Sequence, residues 1–575
     1  MRFENWHVKG FDRAAAVRLC NGGVNPLSAV FLASRGLTEP DAAARFLSDG
    51  AEDILDPFLL RDMDKAVERI KLALSRNENI AVFGDYDVDG MTASALLKCW
   101  FRAHGTEAEI YIPGRAEEGY GLNRQALEYL NSAGMSLIIT VDCGITAVAE
   151  AEYARELGMD LIITDHHECK EEIPRAVAVV DPKRPDCPYP NCALAGVGVA
   201  FKLVCALEPA RDVRDMLREY GDLVAIGTVA DVMPVTGENR ALIKGGLRKL
   251  ETTPRPGLTA LMRVSGAPRN TINTASIGFS IAPRLNAAGR MGRTSLSVDI
   301  LLTEDPEEAA RLTEELCQLN DQRRELESEI FEEVRARLTE SPPDGPIVMA
   351  GENWYHGVMG IVAARAAEGW RFPSVMINVD ADGVGRGSCR SFGHFKMYSA
   401  LQRCEDLLIN YGGHEMAAGI TIPRENIPEL ARRVTEIYRE TIKEPPKPTL
   451  FVDFEVEKAQ LLELKNVAAL ERLEPFGNGN PPPCLLLRSA NVAFLTPVGG
   501  GKHTRLRVEK QRHAMDCIYF SAECASLGVR VGMPADVVFE PQINEFRGRK
   551  TVQLHVIDLK PSDAEPVQSP AQNPV

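Results

Sequence analysis

Three short apolar runs in the sequence each end in acidic or imidazole side chains. The runs and the residues that follow them are Ile80–Phe83 with Asp85, Asp87 and Asp89; Leu137–Val141 with Asp142; and Leu161–Thr164 with Asp165, His166 and His167. Their length and β-branched content predict buried strands of a parallel sheet. Because ligands in such sheets bind beyond the carboxyl ends of the strands, we expect these side chains to converge at one edge.

Converging carboxylates repel one another unless cations lie among them, so the pattern predicts a metal site. Carboxylates suit Mg²⁺ or Mn²⁺, and imidazole shifts the preference towards Mn²⁺. Asp231 ends a further apolar stretch and would be costly there unless it is paired or bound to metal. We predict a catalytic site in which two ions, about 3.5–4 Å apart, serve phosphate ester hydrolysis. The predicted ligands are Asp85, Asp87, Asp89, Asp142, His166, His167 and Asp231.

A single Asp at the end of a strand has a simpler explanation, because Asp also caps helices and starts turns. Three strand ends that all finish in Asp, one of them followed by two histidines, favour the metal site instead. These segments also resemble the motifs of the DHH phosphoesterase superfamily. The matching segments are Asp85-Tyr-Asp-Val-Asp-Gly90, Val141-Asp-Cys-Gly144, Asp165-His-His167 and Thr228-Val-Ala-Asp-Val-Met-Pro234.

Arginine, glycine and hydroxyl side chains recur in four other segments and are candidates for binding phosphate. The segments are Gly114–Leu122 with Arg115; Ile281–Arg293 with Arg284 and Arg290; Gly385–Ser391 with Ser388, Arg390 and Ser391; and Tyr411–Gly419 with His414. Arginine can hold phosphate through two hydrogen bonds, and small residues let the backbone approach an anion. The alternative to phosphate binding is that the arginines are solvated loop residues and that His414 is an ordinary core or turn residue.

These four segments narrow the resemblance to the RecJ family of single-stranded-DNA-specific 5′→3′ exonucleases, over residues from about 50 to about 560. The resemblance implies degradation of single-stranded DNA to mononucleotides in recombination and repair, with a single-strand-binding protein and a helicase as candidate partners. It also implies that Ser388 and Arg390 hold phosphate and that His414 faces the metals. One departure is that Tyr355 separates His356 from Trp354, where the family pattern has His directly after Trp.

The predicted fold is α/β with several domains. The expected parts are a helical lead-in that packs on the first domain (1–60), a parallel-sheet DHH domain (61–300), a connecting helix (301–341), a second, smaller α/β domain that binds substrate (342–445), an OB-like β-barrel (446–560) and a disordered tail (561–575). In the barrel, basic residues together with aromatic ones are typical of single-strand binding.

A net charge of −16 argues against binding to phosphate, unless metal ions offset the acids and basic residues are gathered locally. Thirteen cysteines without a CxxC pair predict reduced thiols and a cytoplasmic location. No apolar run reaches the roughly 18 residues of a membrane helix, so we expect no membrane association. Two other functions stay open: a small-molecule phosphodiesterase or pyrophosphatase, and a non-catalytic replication scaffold.

Overall fold

The computed structural model describes residues 3–114, 121–267, 271–444 and 447–562. The chain divides into two compact units. Residues 51–446 form the central unit, and residues 1–50 together with 447–575 form the terminal unit. Among the described residues, no helix combines the length and the apolar character needed to cross a bilayer.

The first 50 residues contain one strand and three helices, which are β1 (Asn5–Val8), α1 (Arg13–Asn21), α2 (Pro26–Ser34) and α3 (Pro40–Leu47). Side chains at the helix starts explain where two of them begin. The Asp12 carboxylate accepts hydrogen bonds from the Ala14 and Ala15 amides, and the Asn25 side chain accepts one from the Leu27 amide. Pro26 occupies the first turn of α2, where its missing N–H costs nothing.

The central unit begins with a five-stranded parallel sheet and the helices that connect its strands. These elements are α4 (Met63–Arg76), β2 (Ile80–Phe83), α5 (Val88–Ala103), β3 (Glu109–Tyr111), α6 (Arg124–Ser132), β4 (Leu137–Val141), α7 (Val148–Glu156), β5 (Asp160–Thr164) and β6 (Ala178–Val180). The strand order is β3-β2-β4-β5-β6, and all neighbours run parallel. The predicted parallel sheet is therefore confirmed, and the three strands with acidic ends are adjacent.

A helical layer follows the sheet and covers it. It comprises α8 (Gly196–Leu207), α9 (Val213–Ala230), α10 (Gly237–Glu251), α11 (Pro256–Val264), α12 (Thr274–Ser276), α13 (Ala282–Arg290) and α14 (Thr294–Leu302). Its apolar residues share one core with α4, α5 and the sheet. A second core, formed with α6 and α7, covers the opposite face, so the strands are buried on both faces and read as continuous apolar runs in the sequence.

A 35-residue helix, α15 (Pro306–Glu340), leads to a second α/β part of the central unit. That part contains β7 (Ile347–Glu352), α16 (Met359–Trp370), β8 (Ser374–Val379), β9 (Val384–Arg390), α17 (Met397–Gln402), β10 (Asn410–His414), β11 (Ala417–Pro423) and α18 (Ile427–Thr441). Its sheet has the order β10-β11-β9-β8-β7, in which only β7 and β8 are parallel. The predicted connecting helix and second α/β fold are both present.

The carboxyl-terminal part of the terminal unit is a closed β-barrel. Its elements are β12 (Thr449–Val452), β13 (Phe454–Glu455), α19 (Leu464–Ala468), β14 (Leu485–Val498), β15 (His503–Lys510), β16 (His513–Tyr519), β17 (Pro534–Phe546) and β18 (Arg549–Pro561). The sheet runs β13-β14-β15-β16-β18-β17 and closes through pairing of β14 with β17. This confirms the predicted OB-like barrel.

The expectation that residues 1–60 pack on the first domain is wrong for residues 1–50, which belong to the terminal unit. Leu27 and Phe31 of α2 share a core with Leu485 and Phe539 of the barrel, and β1 pairs in parallel with β12. The apolar composition of α2 can be read from the sequence. Its partner cannot, because the contacts join residues more than 400 positions apart and no local pattern encodes such a pairing.

Replacing Leu27 by alanine tests this packing. Leu27 is fully buried, so the substitution should lower the free energy of unfolding of the terminal unit by about 2–5 kcal/mol. Hydrogen exchange measured by mass spectrometry should rise in β14 and β17 and stay unchanged in β2, β4 and β5. Val17→Ala in α1 is the control, since Val17 is 58% exposed and its loss should change little. Faster exchange in the central unit instead would contradict the assignment of residues 1–50 to the barrel.

Candidate metal centre

The acidic motif after β2 is shaped by the start of α5. Asp87 caps this helix, because its Oδ1 accepts hydrogen bonds from the Asp89 amide at 2.9 Å and the Gly90 amide at 3.2 Å. Asp85 precedes the cap, and Asp89 lies in the first turn. A β-carbon on Gly90 would lie 2.6 Å from the Asp85 amide nitrogen, so only glycine allows the loop to fold back this tightly.

The remaining predicted ligands come from two more strand ends and a helix end. Asp142 follows β4 with a φ of 61°, a left-handed conformation that Asp and Asn tolerate better than most residues. His166 and His167 follow β5, and Asp231 is the C-cap residue of α9. Both the strand ends and the helix end therefore deliver side chains to the same place.

His166 lies at the centre of the cluster. Its Nε2 atom is 3.0 Å from Asp142 Oδ1, 3.6 Å from Asp231 Oδ2 and 3.8 Å from Asp89 Oδ2. Three overlapping groups bring potential ligand atoms within 4.8 Å of one another, and together they contain all seven predicted ligands. The groups are Asp142, His166 and His167; Asp89, His166 and Asp231; and Asp85, Asp87 and Asp142.

Several buried polar atoms in this cluster are suited to coordinate a divalent metal. Among the described residues, neither ring nitrogen of His166 nor Asp231 Oδ2 has a hydrogen-bond partner of good geometry, although all three are shielded from solvent. A buried polar atom left without a partner is costly, and coordination to a metal removes that cost. Carboxylate oxygens with one or two imidazoles are a donor set suited to Mn²⁺ or Mg²⁺.

The carboxylates destabilise one another in their ionised forms. Burial, with the charges of Asp231 and Asp87, raises the pKa of Asp89 well above its usual range. Burial and the neighbouring acids, Asp89 foremost, likewise raise the pKa of Asp142. Burial and Asp87 raise the pKa of Asp231 to about 7. A cation at the centre would reverse these shifts, since opposite charge favours the ionised form.

The two histidines have opposite electrostatic surroundings. Burial and the neighbouring His167 lower the pKa of His166 to about 3, so its ring is neutral. Burial alone would lower the pKa of His167 too, but the hydrogen bond and charge of Asp165 outweigh it and raise the pKa to about 9. Asp165 Oδ1 lies 2.7 Å from His167 Nδ1, and Asp165 Oδ2 accepts from the Ile145 amide at 2.9 Å. This contact orients the ring, so that Nε2 can face a metal.

Two features of this site were missed in the sequence. Asp165 was recognised as part of a motif but not as the partner of His167. Gly196 lies outside the motifs identified in the sequence, yet its amide and that of Val197, at the start of α8, donate to the two oxygens of Asp89 at 2.6 and 2.8 Å. A β-carbon on Gly196 would lie 2.6 Å from the Asp142 β-carbon. The glycine spacing itself was the available signal.

His414 of the second α/β part lies near His167, one of the predicted ligands. Its ring is parallel to that of His167, with 6.4 Å between the centroids. Burial and the charge of His167 lower the pKa of His414, so its ring is neutral at pH 7 and can donate or accept a hydrogen bond. The role predicted for it stays a prediction.

The other predicted substrate residues make internal contacts in this structure. Arg390 donates to the Ser388 hydroxyl at 3.1 Å, and the Ser391 hydroxyl donates to the Phe395 carbonyl. Two more, Arg284 and Arg290, donate to the carbonyls of Ser280 and Gly357 respectively. Arg115 lies outside the described residues. The phosphate-binding role of all these arginines and serines therefore remains a prediction.

Comparison with known proteins resolves the family. Family models match residues 79–228 (DHH family, N-terminal domain), 344–440 (DHHA1 domain) and 452–558 (RecJ OB domain). The single-stranded-DNA-specific exonuclease RecJ of Bacillus subtilis is 38% identical over 94% of this chain and 68% of its own length. This chain belongs to the RecJ family.

Solved RecJ structures share the whole fold. The crystal structure of RecJ from Thermus thermophilus in complex with Mn²⁺ matches 97% of this chain and 80% of its own, with a TM-score of 0.82 and 29% identity. The structure of that protein with Mg²⁺ matches with a TM-score of 0.78 and 28% identity, over 97% of this chain and 79% of its own. The predicted RecJ resemblance and the predicted Mn²⁺ or Mg²⁺ cofactor are confirmed.

Gly196→Ala should weaken metal binding strongly. The added methyl must push Asp142 aside or move the amides that hold Asp89, whereas Gly198→Ala in the same helix meets only Leu194 at an ordinary 3.5 Å. We expect the Kd for Mn²⁺, measured by calorimetry, to rise at least about tenfold for Gly196→Ala. Gly198→Ala should match the unmodified protein. Equal Kd values for both variants would show that the space between Gly196 and Asp142 accommodates a methyl group.

Metal binding should release protons near neutral pH. Without metal, His167 holds a proton below its pKa of about 9, and Asp231 is half protonated near 7. Ligands must be deprotonated to bind, so affinity should fall as pH is lowered from 9 to 7. Calorimetry in buffers of different ionisation enthalpy measures the proton count.

Asp165→Asn provides the matched comparison for this proton count. It removes the charge that raises the pKa of His167, so fewer protons should be released at pH 8. Identical release by both proteins would exclude His167 as the proton source.

Proposed function

We propose that this chain is a metal-dependent exonuclease that degrades single-stranded DNA from the 5′ end to mononucleotides, in recombination and repair. Its family membership supports the substrate and the reaction. The observation that carries the proposal is the convergence of five acids and two histidines, with His166 3.0 to 3.8 Å from three of the carboxylates. Polarity and product are proposed from the family resemblance.

We assign the two ions to the same seven ligands that the sequence predicted, which are Asp85, Asp87, Asp89, Asp142, His166, His167 and Asp231. When bound, the ions lower the pKa of the attacking water and offset negative charge on the phosphate. The low pKa of His166 keeps its ring neutral and ready to donate a lone pair at physiological pH.

The protein's own groups fix the direction of these ligands. Asp165 holds His167 Nδ1, so its Nε2 is the atom turned to the site. The amides of Gly196 and Val197 occupy one lone pair on each oxygen of Asp89 and leave the others for coordination. A site with ligands oriented in advance has less conformational entropy to lose when it binds metal.

We propose that the second α/β part holds the strand opposite the metal site. His414, neutral and 6.4 Å from His167 between ring centroids, is suited to hydrogen-bond a phosphate oxygen near the scissile bond. Arg390 and Ser388, joined by a hydrogen bond, offer donors for a neighbouring phosphate. Arg115, Arg284, Arg290 and Ser391 are proposed as further substrate contacts.

The barrel is proposed to grip the strand without regard to sequence. Phe494, Phe520 and Phe546 are each about half exposed or more, and bases stack on exposed aromatic rings for about 1–3 kcal/mol each. Arg505 projects from an exposed position of β15 and can meet phosphates. Basic side chains gathered in the barrel would let a protein with a net charge of −16 still bind the phosphates of DNA.

Two other functions fit the same motifs less well. A small-molecule phosphodiesterase needs no OB barrel, which this chain has. A non-catalytic scaffold needs no metal ligands, yet all seven are present and lie together.

We further propose a cytoplasmic location and two partners, a single-strand-binding protein and a helicase. The thirteen cysteines are all free thiols, which fits a reducing compartment. A helicase would supply the single strand that the site requires.

An exonuclease assay with Mn²⁺ on three end-labelled DNAs tests the proposed function. The substrates are a single strand, a blunt duplex and a single strand with a blocked 5′ end. Only the unblocked single strand should disappear, as mononucleotides. Asp142→Asn should lower kcat at least about 100-fold, since even outer-shell partners of a metal are worth 10- to 100-fold. Asn tolerates the left-handed backbone at this position.

Asp160→Asn is the control for Asp142→Asn. Asp160 lies at the opposite, amino end of the same sheet, where it pairs with Arg69 at 2.6 Å, so its loss should leave kcat unchanged. Turnover of dinucleotides with no digestion of the long strand would instead support the small-molecule phosphodiesterase. Full activity of Asp142→Asn would remove Asp142 from the ligand set.

A further inference from the structure

A buried polar network joins the first turn of α10 to the middle of α8 and to the segment that precedes α8. Glu238 and Lys202 form an ion pair there and are 3% and 1% exposed. The Tyr189 hydroxyl contacts the two Glu238 oxygens at 2.9 and 2.8 Å, and the Leu55 amide donates to Glu238 Oε1 at 3.0 Å. None of these residues is among the proposed metal ligands.

The network continues into the segment that precedes α8. The Asn191 side-chain amide donates to Glu238 Oε2 at 3.3 Å, and its own oxygen accepts from the Ala193 amide at 3.2 Å. Asn239, next to Glu238, donates to the Ala193 carbonyl at 2.5 Å. The backbone at Ala193 is therefore held at both its N–H and its C=O.

The segment held in this way forms one wall of the metal site. Three residues after Ala193, the Gly196 amide donates to Asp89, and the Val197 amide does the same. Hydrogen bonds thus link Glu238 through Asn191 to Ala193, and the backbone from Ala193 to Gly196 carries the connection on to Asp89, entirely within the central unit.

We infer that Glu238 is a positioning residue for the metal centre: with Asn191 and Asn239 it fixes the backbone at Ala193, and so the amides that orient Asp89. This inference rests on the proposed function, because it takes Asp89 as a metal ligand. A buried ion pair is weak evidence of stabilisation by itself, since desolvation offsets much of the attraction. A buried network in which the polar groups are hydrogen-bonded can instead serve to fix one backbone conformation beside a metal ligand.

The prediction is a selective loss of metal affinity. Glu238→Gln keeps the size of the side chain but removes the charge that holds Lys202, and Asn191→Ala cuts the path to Ala193 without leaving a buried charge. On the full chain without DNA, each variant should raise the Kd for Mn²⁺ at least about tenfold by calorimetry. At saturating Mn²⁺, kcat and the KM for single-stranded DNA should return to near their original values.

Thr253→Val is the matched control. Thr253 donates to the buried carboxylate of Asp222 at 2.7 Å, and Asp222 also pairs with Arg255 at 3.3 Å in a second polar network on α9. This variant should lower the thermal midpoint in chelator but leave the Kd for Mn²⁺ unchanged.

Asp89→Asn separates the two possible failures. If Asp89→Asn weakens Mn²⁺ binding while folded Glu238→Gln and Asn191→Ala keep a Kd within about twofold of the original, the positioning role is wrong and the site stands. If Asp89→Asn also binds Mn²⁺ normally, the ligand assignment itself fails. Should Glu238→Gln not fold, Asn191→Ala decides the question.

Discussion

The central constraint on this structure is the mutual repulsion of buried carboxylates at the carboxyl edge of one parallel sheet. Asp89 and Asp142 are almost fully buried, and neighbouring carboxylates raise the cost of ionising each of them. Such a cluster is stable in its charged form only with cations among the acids. The fold therefore holds ionised carboxylates closer together than is favourable without metal. Such unfavourable electrostatics are typical of functional sites.

Backbone amides hold two of these acids in place. Amides at the starts of α5 and α8 bind Asp87 and Asp89, and glycines at positions 90 and 196 let the chain come close enough to do so. Backbone donors carry a partial positive charge without competing as full cations for the site. This arrangement leaves the net negative charge of the centre available for divalent metal.

Much of the fold and site followed from local sequence. The strand-end acids were readable because short apolar runs rich in β-branched residues indicate buried strands, and the carboxyl ends of parallel strands lie at one edge of a sheet. The predicted connecting helix likewise corresponds to α15, along which apolar residues between Leu312 and Leu338 are buried at helical spacing. Asp165, Gly196 and Glu238 were not found as site residues, because their roles depend on contacts with residues that lie distant in the sequence or that only geometry selects.

The sequence by itself determined the ligand types, their strand-end spacing and hence the metal chemistry, because residue type and period are local properties. Tertiary structure alone decided which amides hold Asp89, which histidine Asp165 orients, and that the first 50 residues complete the barrel rather than the sheet domain. Gly196 and Asp89 are 107 positions apart, and the partner of α2 lies more than 400 residues away. Contacts at such separations arise only when the whole core packs, so no window of sequence contains them.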